Sequence, residues 1–294
     1  MAIYPKYQMD FHGKKVLDKS SNWTLIGWKD SYENLKIYFE NLNLNLKFIS
    51  TKEFLNNEKK LITHNVIIAS TFKRYPKEIK KELICKFSKK IIEQISNIIS
   101  PNIIYISSSS VYGLSNSEDS FIETSLINPK SEYASEKIFF EKIIDHIIKG
   151  NNGKCIILRP SALFGKYKLL GKSTNLIDNI YESIHTNKKL NLKIENNGLQ
   201  IRDFIHISDF LKIVSIFANN INQMQISMDT EIFNLSNNKK YRLRDILEIV
   251  KLNYKNITID YQIDNNNFIH SSLNSNKLNN YLENYDFLQI ENYI

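Results

Sequence analysis

The stretch that decides the fold is IIYISSSSVYG, residues 103–113, followed after a polar loop by SEYASEK, residues 131–137. A β-branched apolar run, which predicts a buried strand, ends there in four consecutive serines. In the second block Tyr133 and Lys137 stand one helical turn apart, so they lie on one face of a predicted helix. A strand that ends in hydroxyls and leads into such a helix predicts one βαβ unit of a parallel sheet.

Three side chains in this stretch have the functional groups that hydride transfer at a carbinol carbon requires. The phenol of Tyr133 moves the proton, and the ammonium of Lys137 is expected to lower the pKa of that phenol. The hydroxyl of Ser108 holds the substrate oxygen. We therefore expect Ser108, Tyr133 and Lys137 to be catalytic.

Outward from this stretch, apolar strands alternate with amphipathic helices. Strands are predicted at residues 23–27, 46–50, 65–70, 102–107 and 154–158. Helices are predicted at 30–41, 76–99 and 131–149, with Ser131 as an N-cap, and later at 175–186, 208–219 and 242–252. This alternation predicts a parallel sheet with right-handed crossovers.

Four ordered blocks resemble a known family: ISSSSVYG, YASEK, ILRPSALFG and GLQIRDFIHISD, the last ending at residue 209. Together they are similar to the extended short-chain dehydrogenase/reductases, and more narrowly to the nucleotide-sugar epimerase/dehydratase group. The resemblance implies an α/β fold with a Rossmann-like, doubly wound parallel sheet and a smaller C-terminal α/β domain. The expected domains are residues 1–165, which bind NAD or NADP, and 166–294, which bind a nucleoside diphosphate sugar and return in part to the sheet.

The resemblance also implies which residues contact the ligands. Those expected at the cofactor are Gly27, Lys29, Ser50, Ser70, Tyr133, Lys137 and Arg159. Those expected at the substrate are Ser108, Ser109, Asn175 and Arg202. Arg202 corresponds to an arginine on the substrate diphosphate, with a surface ion pair to Asp203 as the alternative. For the segment of Asn175, the alternative is that Ser173 and Thr174 cap a helix.

The glycine-rich loop that follows the first strand in this family is absent. Gly27 is the only glycine in LIGWKDSYENL, residues 25–35, and Trp28, Lys29 and Asp30 replace small residues. In dinucleotide-binding folds those glycines let backbone N–H groups approach the pyrophosphate at a helix N-terminus. Three hypotheses remain open: the dinucleotide still binds with help from Lys29, it binds weakly or in altered geometry, or the chain is a non-catalytic relative.

Two further departures bear on specificity. The second strand ends in FISTK, residues 48–52, without the acidic residue that NAD-preferring folds place on the ribose. Small hydroxyls and a lysine favour a 2′-phosphate, although a plain strand exit with a solvated lysine is equally compatible. Ser108, Ser109 and Ser110 stand where dehydratases of the family have Thr-Asp-Glu, so dehydration is disfavoured. A second arginine expected on the diphosphate is absent from residues 264–274.

Composition favours a cytoplasmic protein with a small-molecule substrate. The chain has 294 residues, a formal net charge of +8 and two cysteines, which make no disulfide framework. Its lysines are scattered, so we expect no nucleic-acid binding, and no run of apolar residues is long enough to predict a membrane span. No His/Cys/Asp cluster has metal-binding spacing. By resemblance we also expect a homodimer built from the helices at 76–99 and 131–149.

The leading hypothesis is an NAD(P)-dependent nucleotide-sugar epimerase or 4-keto-sugar reductase of surface-glycan (lipopolysaccharide) biosynthesis. The alternative is a non-catalytic protein that binds a sugar nucleotide and has lost the cofactor.

Overall fold

A computed structural model of the chain describes residues 22–29, 44–56, 61, 63–72, 75–165, 176–186, 188–224, 229–262, 269–283 and 285–293. Its strands are β1 (Asn22–Gly27), β2 (Asn45–Ser50), β3 (Asn65–Ile68), β4 (Asn102–Ile106), β5 (Lys154–Pro160), β6 (Ala162–Phe164), β7 (Leu190–Ile194), β8 (Ile201–Arg202), β9 (Phe204–His206), β10 (Thr230–Leu235), β11 (Tyr241–Arg242) and β12 (Ile257–Tyr261). Its helices are α1 (Thr51–Leu55), α2 (Lys77–Ile95), α3 (Glu132–Gly150), α4 (Leu176–His185), α5 (Ile207–Asn220), α6 (Leu243–Asn253) and α7 (Asn276–Tyr281). The helix predicted at residues 30–41 lies outside the described residues.

The centre of the molecule is a six-stranded sheet in the order β10-β5-β4-β3-β1-β2, with every neighbouring pair parallel. Successive side chains of a strand point to opposite faces, so a strand that is covered on both sides is apolar throughout. In β3, Val66 and Ile68 pack under α2 and α3, whereas Ile67 packs under α5. The expected Rossmann-like, doubly wound sheet is confirmed.

Helix α3 carries the Tyr/Lys pair and begins where the sequence predicts. Ser131 is its N-cap, and its Oγ accepts the backbone N–H of Ala134 at 3.2 Å. The buried face of α3 includes Phe140, Ile144 and Ile148, which join the core against the sheet. Tyr133 and Lys137 therefore stand over the carboxyl end of β4 on a helix fixed by its own core packing.

The later part of the chain contributes both to the sheet and to a second core. Strand β10 pairs with β5, and α5 and α7 cover one face of the sheet. A separate apolar cluster joins α4 and α6 to strands β7 and β12, which pair in parallel. A smaller α/β unit thus lies beyond β6. The boundary after residue 165 stays a prediction.

The strand order reverses between β1 and β3. From β1 the chain moves outward to β2 and then crosses back to β3, on the other side of β1. Open α/β sheets bind ligands at the carboxyl ends of the strands at such a reversal. We call the space between the carboxyl ends of β1 and β3 the switch-point crevice.

Candidate functional site

Ser108 and Tyr133 meet at the carboxyl end of β4. Ser108 is the N-cap of the short 3-10 turn Ser109–Tyr112, and its Oγ accepts the N–H of Ser110 at 3.2 Å and the Ser110 hydroxyl at 3.0 Å. Because its oxygen accepts twice, the Ser108 O–H is left to donate, and it is hydrogen-bonded with the phenol of Tyr133. The structure therefore brings together two of the three expected catalytic groups.

Lys137 lies one turn further along α3 and is only 3% exposed. Its Nζ donates to the carbonyl oxygens of Ser70 at 3.1 Å and Ile106 at 2.8 Å, just beyond β3 and at the end of β4. An ammonium has three donors, and the third has no acceptor among the described residues. Burial lowers the pKa of Lys137 to about 8, although the charges of Glu136 and Glu141 act in the opposite direction.

The expected lowering of the Tyr133 pKa is wrong for this conformation. Burial raises the pKa of the phenol and the charge of Glu136 raises it further, while the hydrogen bond from Ser108 lowers it. The Lys137 ammonium is 5.7 Å from the centre of the Tyr133 ring, and its N–H groups are directed at backbone carbonyls. Tyr133 is therefore a neutral phenol at neutral pH, able to donate a proton.

Arg159, expected at the cofactor, is instead used inside the protein. It is 3% exposed, and its Nη2 and Nε contact the two carboxylate oxygens of Glu141 at 2.6 and 3.1 Å. Its Nη1 donates to the hydroxyl of Tyr112 at 2.8 Å, and the hydroxyl of Ser107 donates to Glu141. This network joins α3 to β5 and to the residue before Ser108. The guanidinium of Arg159 is occupied within the protein, contrary to the expected contact of its side chain with the cofactor.

Trp28 crosses the switch-point crevice. Its Nε1 donates to the carbonyl oxygen of Thr71, two residues beyond Ala69, at 2.6 Å. The half-buried indole also packs against Phe72 and Tyr75, with ring centres 6.1 and 5.6 Å away. The side chain that follows β1 is thus anchored on the segment that follows β3.

Gly27 does not form a cradle in this conformation. A Cβ atom placed there would lie 3.8 Å from the Phe48 ring and 3.9 Å from the Ala69 side chain, which is ordinary van der Waals contact. Its backbone does not take the left-handed conformation that favours glycine. A residue with a side chain could therefore occupy the position of Gly27 without a steric clash at its Cβ atom.

The other residues expected at the cofactor line the same edge of the sheet. The Ser70 hydroxyl lies 2.9 Å from that of Thr51, and Lys29 is exposed beside Trp28. Ser50 and Glu53 form a capping box at the start of α1, with Ser50 Oγ accepting at 3.2 Å and Glu53 Oε2 accepting at 2.9 Å. The Glu53 carboxylate therefore lies at the end of β2, where it caps α1, and the choice between NAD and NADP stays a prediction.

On the substrate side, Arg202 is a mostly buried cation. Its Nη1 donates to the carbonyl oxygens of Ile201, at 2.7 Å, and of Ile269. Among the described residues no carboxylate lies within ion-pair distance of it, since Asp203 instead accepts the N–H of Leu273. Burial lowers the pKa of Arg202, and the charge of Asp203 acts against this.

Two other residues expected at the substrate are Ser109 and Asn175. Ser109 is partly exposed at the start of the 3-10 turn, next to Ser108. Asn175 lies outside the described residues. The roles of both stay predictions.

Three acidic residues at this site were missed from the sequence. Glu53 had a signal, because Ser-x-x-Glu at residues 50–53 is a capping box. Glu141 also had one, because it follows Lys137 by one helical turn on the same face of α3. Glu136 had no sequence signal; its Oε1 accepts the N–H of Phe72 at 3.0 Å.

Neither a metal-binding group nor a membrane-spanning helix is found in the described part of the chain. Within it, no group of three or more His, Cys, Asp or Glu residues is arranged to hold a metal ion. None of its helices combines the length and apolar character that crossing a membrane demands.

Comparisons with known proteins place this site in a family. Residues 73–235, more than half of the chain, match the model of the NAD dependent epimerase/dehydratase family. The chain belongs to this family. The match begins after β3, so β1, β2 and β3 lie outside it.

Relatives and solved structures agree with that membership. The chain is 26% identical over 252 residues to ADP-L-glycero-D-manno-heptose-6-epimerase of Brachyspira hyodysenteriae, covering 84% of this chain and 73% of that protein. Its fold is similar to dTDP-glucose 4,6-dehydratase from Bacillus anthracis in complex with NAD, with TM-score 0.71, 15% identity, and 93% and 95% of the two chains covered. It is also similar to UDP-glucuronic acid 4-epimerase from Bacillus cereus in complex with NAD, with TM-score 0.68, 15% identity, and 92% and 95% covered.

The family name implies a dinucleotide, and the residues present suit one end of it. The unmatched third donor of Lys137, beside the Ser108–Tyr133 pair, fits a ribose hydroxyl at the nicotinamide end. The pyrophosphate end does not fit in this conformation, because the Trp28 indole lies across the crevice and no glycine cradle is formed. In this conformation the Ser108–Tyr133 pair lies beside Lys137, and the Trp28 indole lies between the ends of β1 and β3.

Proposed function

We propose that the chain is an NAD(P)-dependent nucleotide-sugar epimerase or 4-keto-sugar reductase. The observation that carries this proposal is the hydrogen bond between Ser108 and Tyr133, one turn before the buried ammonium of Lys137. The three groups are polar and lie buried or half-buried at the carboxyl end of the sheet, where such clusters are often functional. Family membership supports the same class of reaction.

In this proposal each residue acts at a stated atom. Ser108 donates a hydrogen bond to the oxygen on the reacting sugar carbon, and Tyr133 gives the proton to that oxygen or takes it away. A bound dinucleotide supplies the hydride acceptor or donor. Since burial keeps Tyr133 a neutral phenol in the described state, it can donate its proton to a keto oxygen at neutral pH.

The substrate side supports a sugar nucleotide. Arg202 is mostly buried and has no ion-pair partner among the described residues. The charge of Asp203 compensates it only in part, since burial raises the pKa of Asp203 to about 7. We propose that a nucleoside diphosphate neutralises Arg202, with Ser109 beside the sugar. No carboxylate follows Ser108 in the serine cluster, so we exclude elimination of water from the proposed reaction.

Of four finer proposals, three rest on resemblance alone and the cytoplasmic setting rests on composition. We propose a substrate domain that begins after residue 165 and a homodimer formed through α2 and α3. We also propose a cytoplasmic setting and a part in surface-glycan synthesis.

The test combines the purified protein with NAD⁺ or NADPH and a panel of UDP-, dTDP-, ADP- and GDP-sugars. Proton NMR of the sugar ring would reveal an epimer, and loss of NADPH absorbance would reveal reduction. We expect turnover of at least one sugar nucleotide. If every sugar nucleotide that binds is returned unchanged at millimolar dinucleotide, the proposal is wrong.

One observation favours a second candidate. Because the Trp28 indole closes the crevice, the chain is alternatively a sugar-nucleotide-binding protein without redox activity. That candidate predicts binding of a sugar nucleotide, no turnover, and no dinucleotide affinity in any variant.

A further inference from the structure

The segment after β3, residues 69–72, has backbone groups engaged by four different partners. The N–H of Ala69 donates to Ile26, and the carbonyl of Ser70 accepts from Lys137. The carbonyl of Thr71 accepts from Trp28, and the N–H of Phe72 donates to Glu136. Backbone groups at the carboxyl end of a central parallel strand are those a ligand in the crevice would use. Here they are satisfied from within the protein.

Three of these partners are side chains, of which Trp28 and Glu136 come from different elements of the fold. Trp28 reaches the segment from the end of β1 over a distance of 2.6 Å, and Glu136 reaches it from α3 over 3.0 Å. Glu136 is 4% exposed and Phe72 is fully buried, so the second contact is shielded from water. The segment is therefore held from two elements, once by an aromatic donor and once by a carboxylate acceptor.

We propose that Trp28 and Glu136 latch residues 69–72 over the switch-point crevice, so that a dinucleotide binds only after the indole has moved away. The inference rests on the proposed function in that the ligand excluded is the dinucleotide which that function requires. It goes further by naming the two residues that control access and by predicting that their removal increases affinity.

The indole is suited to move. It is half-buried, and its polar contact with the protein is one hydrogen bond to a backbone carbonyl. A state that is closed most of the time reduces apparent affinity by the fraction of molecules that are open. Opening the latch permanently is therefore expected to tighten dinucleotide binding by on the order of 10-fold or more.

The experiment measures NAD⁺ and NADPH binding by calorimetry in matched variants. Trp28→Ala removes the indole, and Trp28→Phe keeps a ring but loses the N–H donor. Glu136→Ala removes the acceptor for Phe72, whereas Glu136→Gln keeps an acceptor oxygen and removes only the charge. The control Trp23→Phe changes the other of the two tryptophans, which is fully buried in the core.

We expect Trp28→Ala to bind the dinucleotide about 10-fold more tightly or better, with smaller gains for Trp28→Phe and Glu136→Ala. Glu136→Gln and Trp23→Phe should match the unmodified protein.

In Trp23→Phe, Trp28 is the sole tryptophan, and acrylamide should quench its fluorescence more strongly once NAD⁺ binds. Thermal unfolding identifies which variants are folded, and any one folded opening variant is sufficient for the comparison.

The proposal is overturned if no folded opening variant binds a dinucleotide more tightly than the unmodified protein. The sugar-nucleotide panel separates this failure from failure of the proposed function. Tighter binding without turnover of any sugar leaves the latch standing and removes the enzyme. Turnover by the unmodified protein, with unchanged affinity in Trp28→Ala, keeps the enzyme and removes the latch.

Discussion

The carboxyl edge of the sheet differs between its β4 end and its β1 end in how well it suits a dinucleotide. At the β4 end, Ser108, Tyr133 and Lys137 are assembled on a helix that is held by core packing. At the β1 end, Trp28 occupies the crevice and Gly27 forms no cradle. One edge of the sheet therefore carries the Ser108–Tyr133–Lys137 group at one strand and, at another, an indole where the resemblance implies phosphates.

The difference follows from what each end needs. Proton transfer needs side chains that are present and fixed, and these are supported by the buried network of Glu141 and Arg159. A phosphate cradle needs side chains to be absent, so that backbone N–H groups can approach the anion. A single large residue such as Trp28 can close the second kind of site while the first is left intact.

The largest effect is expected at the β4 end, from Tyr133→Phe. Removing the phenolic oxygen takes away the proton donor, and turnover should fall by on the order of 10²- to 10⁴-fold while the fold is retained. The matched control is Tyr105→Phe, since the Tyr105 hydroxyl is buried beneath the same helix without a hydrogen-bond partner. Steady-state kinetics should show little change in the control. Near-normal turnover in Tyr133→Phe would end the proposed mechanism.

The support of the β4 end is tested by Glu141→Ala. This change leaves the buried guanidinium of Arg159 without its counter-charge, which typically costs about 3–5 kcal/mol in the free energy of unfolding. Urea unfolding should show that loss. In Glu141→Leu combined with Arg159→Met, where neither charge remains, the loss should be much smaller. A cost below about 1 kcal/mol for Glu141→Ala would mean that the pair is not a support.

Lys137 gives the β4 end a pH dependence with a defined sign. Its pKa is about 8 when folded and 10.5 in the unfolded reference, so the unfolded chain binds more protons between these values. Stability therefore rises with pH across that window, and the burial penalty is fully present below about pH 8. Relative to Lys137→Met, the wild type should gain about 3 kcal/mol in the free energy of unfolding from pH 7 to 10.5.

Urea unfolding at several pH values measures that gain. Tyrosines that titrate in the same range are present in both proteins, so their contribution cancels in the difference. Lys142→Met, an exposed lysine on the same helix, is the control and should show no comparable slope. A constant difference between wild type and Lys137→Met over the whole range would show that the ammonium is not buried as described.

The β4 end could be predicted from the sequence because its information is local. The strand, the serines and the Tyr/Lys spacing lie within 35 residues, and helix geometry fixes which side chains share a face. The missing glycines also predicted that Trp28 would be unfavourable to phosphates. What the indole contacts could not be predicted, because Thr71 is far from it in sequence and is brought close by the β1–β3 pairing.

Arg159 shows the opposite limit. The resemblance implies a cofactor contact for Arg159, yet its side chain turns into the core because Glu141 on α3 offers a bidentate acceptor. Glu53 is a second case, because the capping box brings its carboxylate back to the end of β2. Strand-end position predicts where a residue lies, and the partners across the fold decide which way it points.

The smallest effect is expected on the substrate side, from Arg202→Ala. Losing one charge-assisted hydrogen-bond donor to a diphosphate costs about 1.5–3 kcal/mol, so sugar-nucleotide affinity should fall roughly 10- to 100-fold. Arg202→Lys keeps the charge but lacks the planar guanidinium, so its sugar-nucleotide affinity should lie between those of the wild type and Arg202→Ala. Calorimetry with the same variants should find dinucleotide affinity unchanged, because Arg202 donates to the carbonyls of Ile201 and Ile269 and not to residues at the ends of β1 or β3. Equal losses for both ligands would mean that Arg202 lies in the crevice, and the contrast between the β4 end and the β1 end would no longer hold.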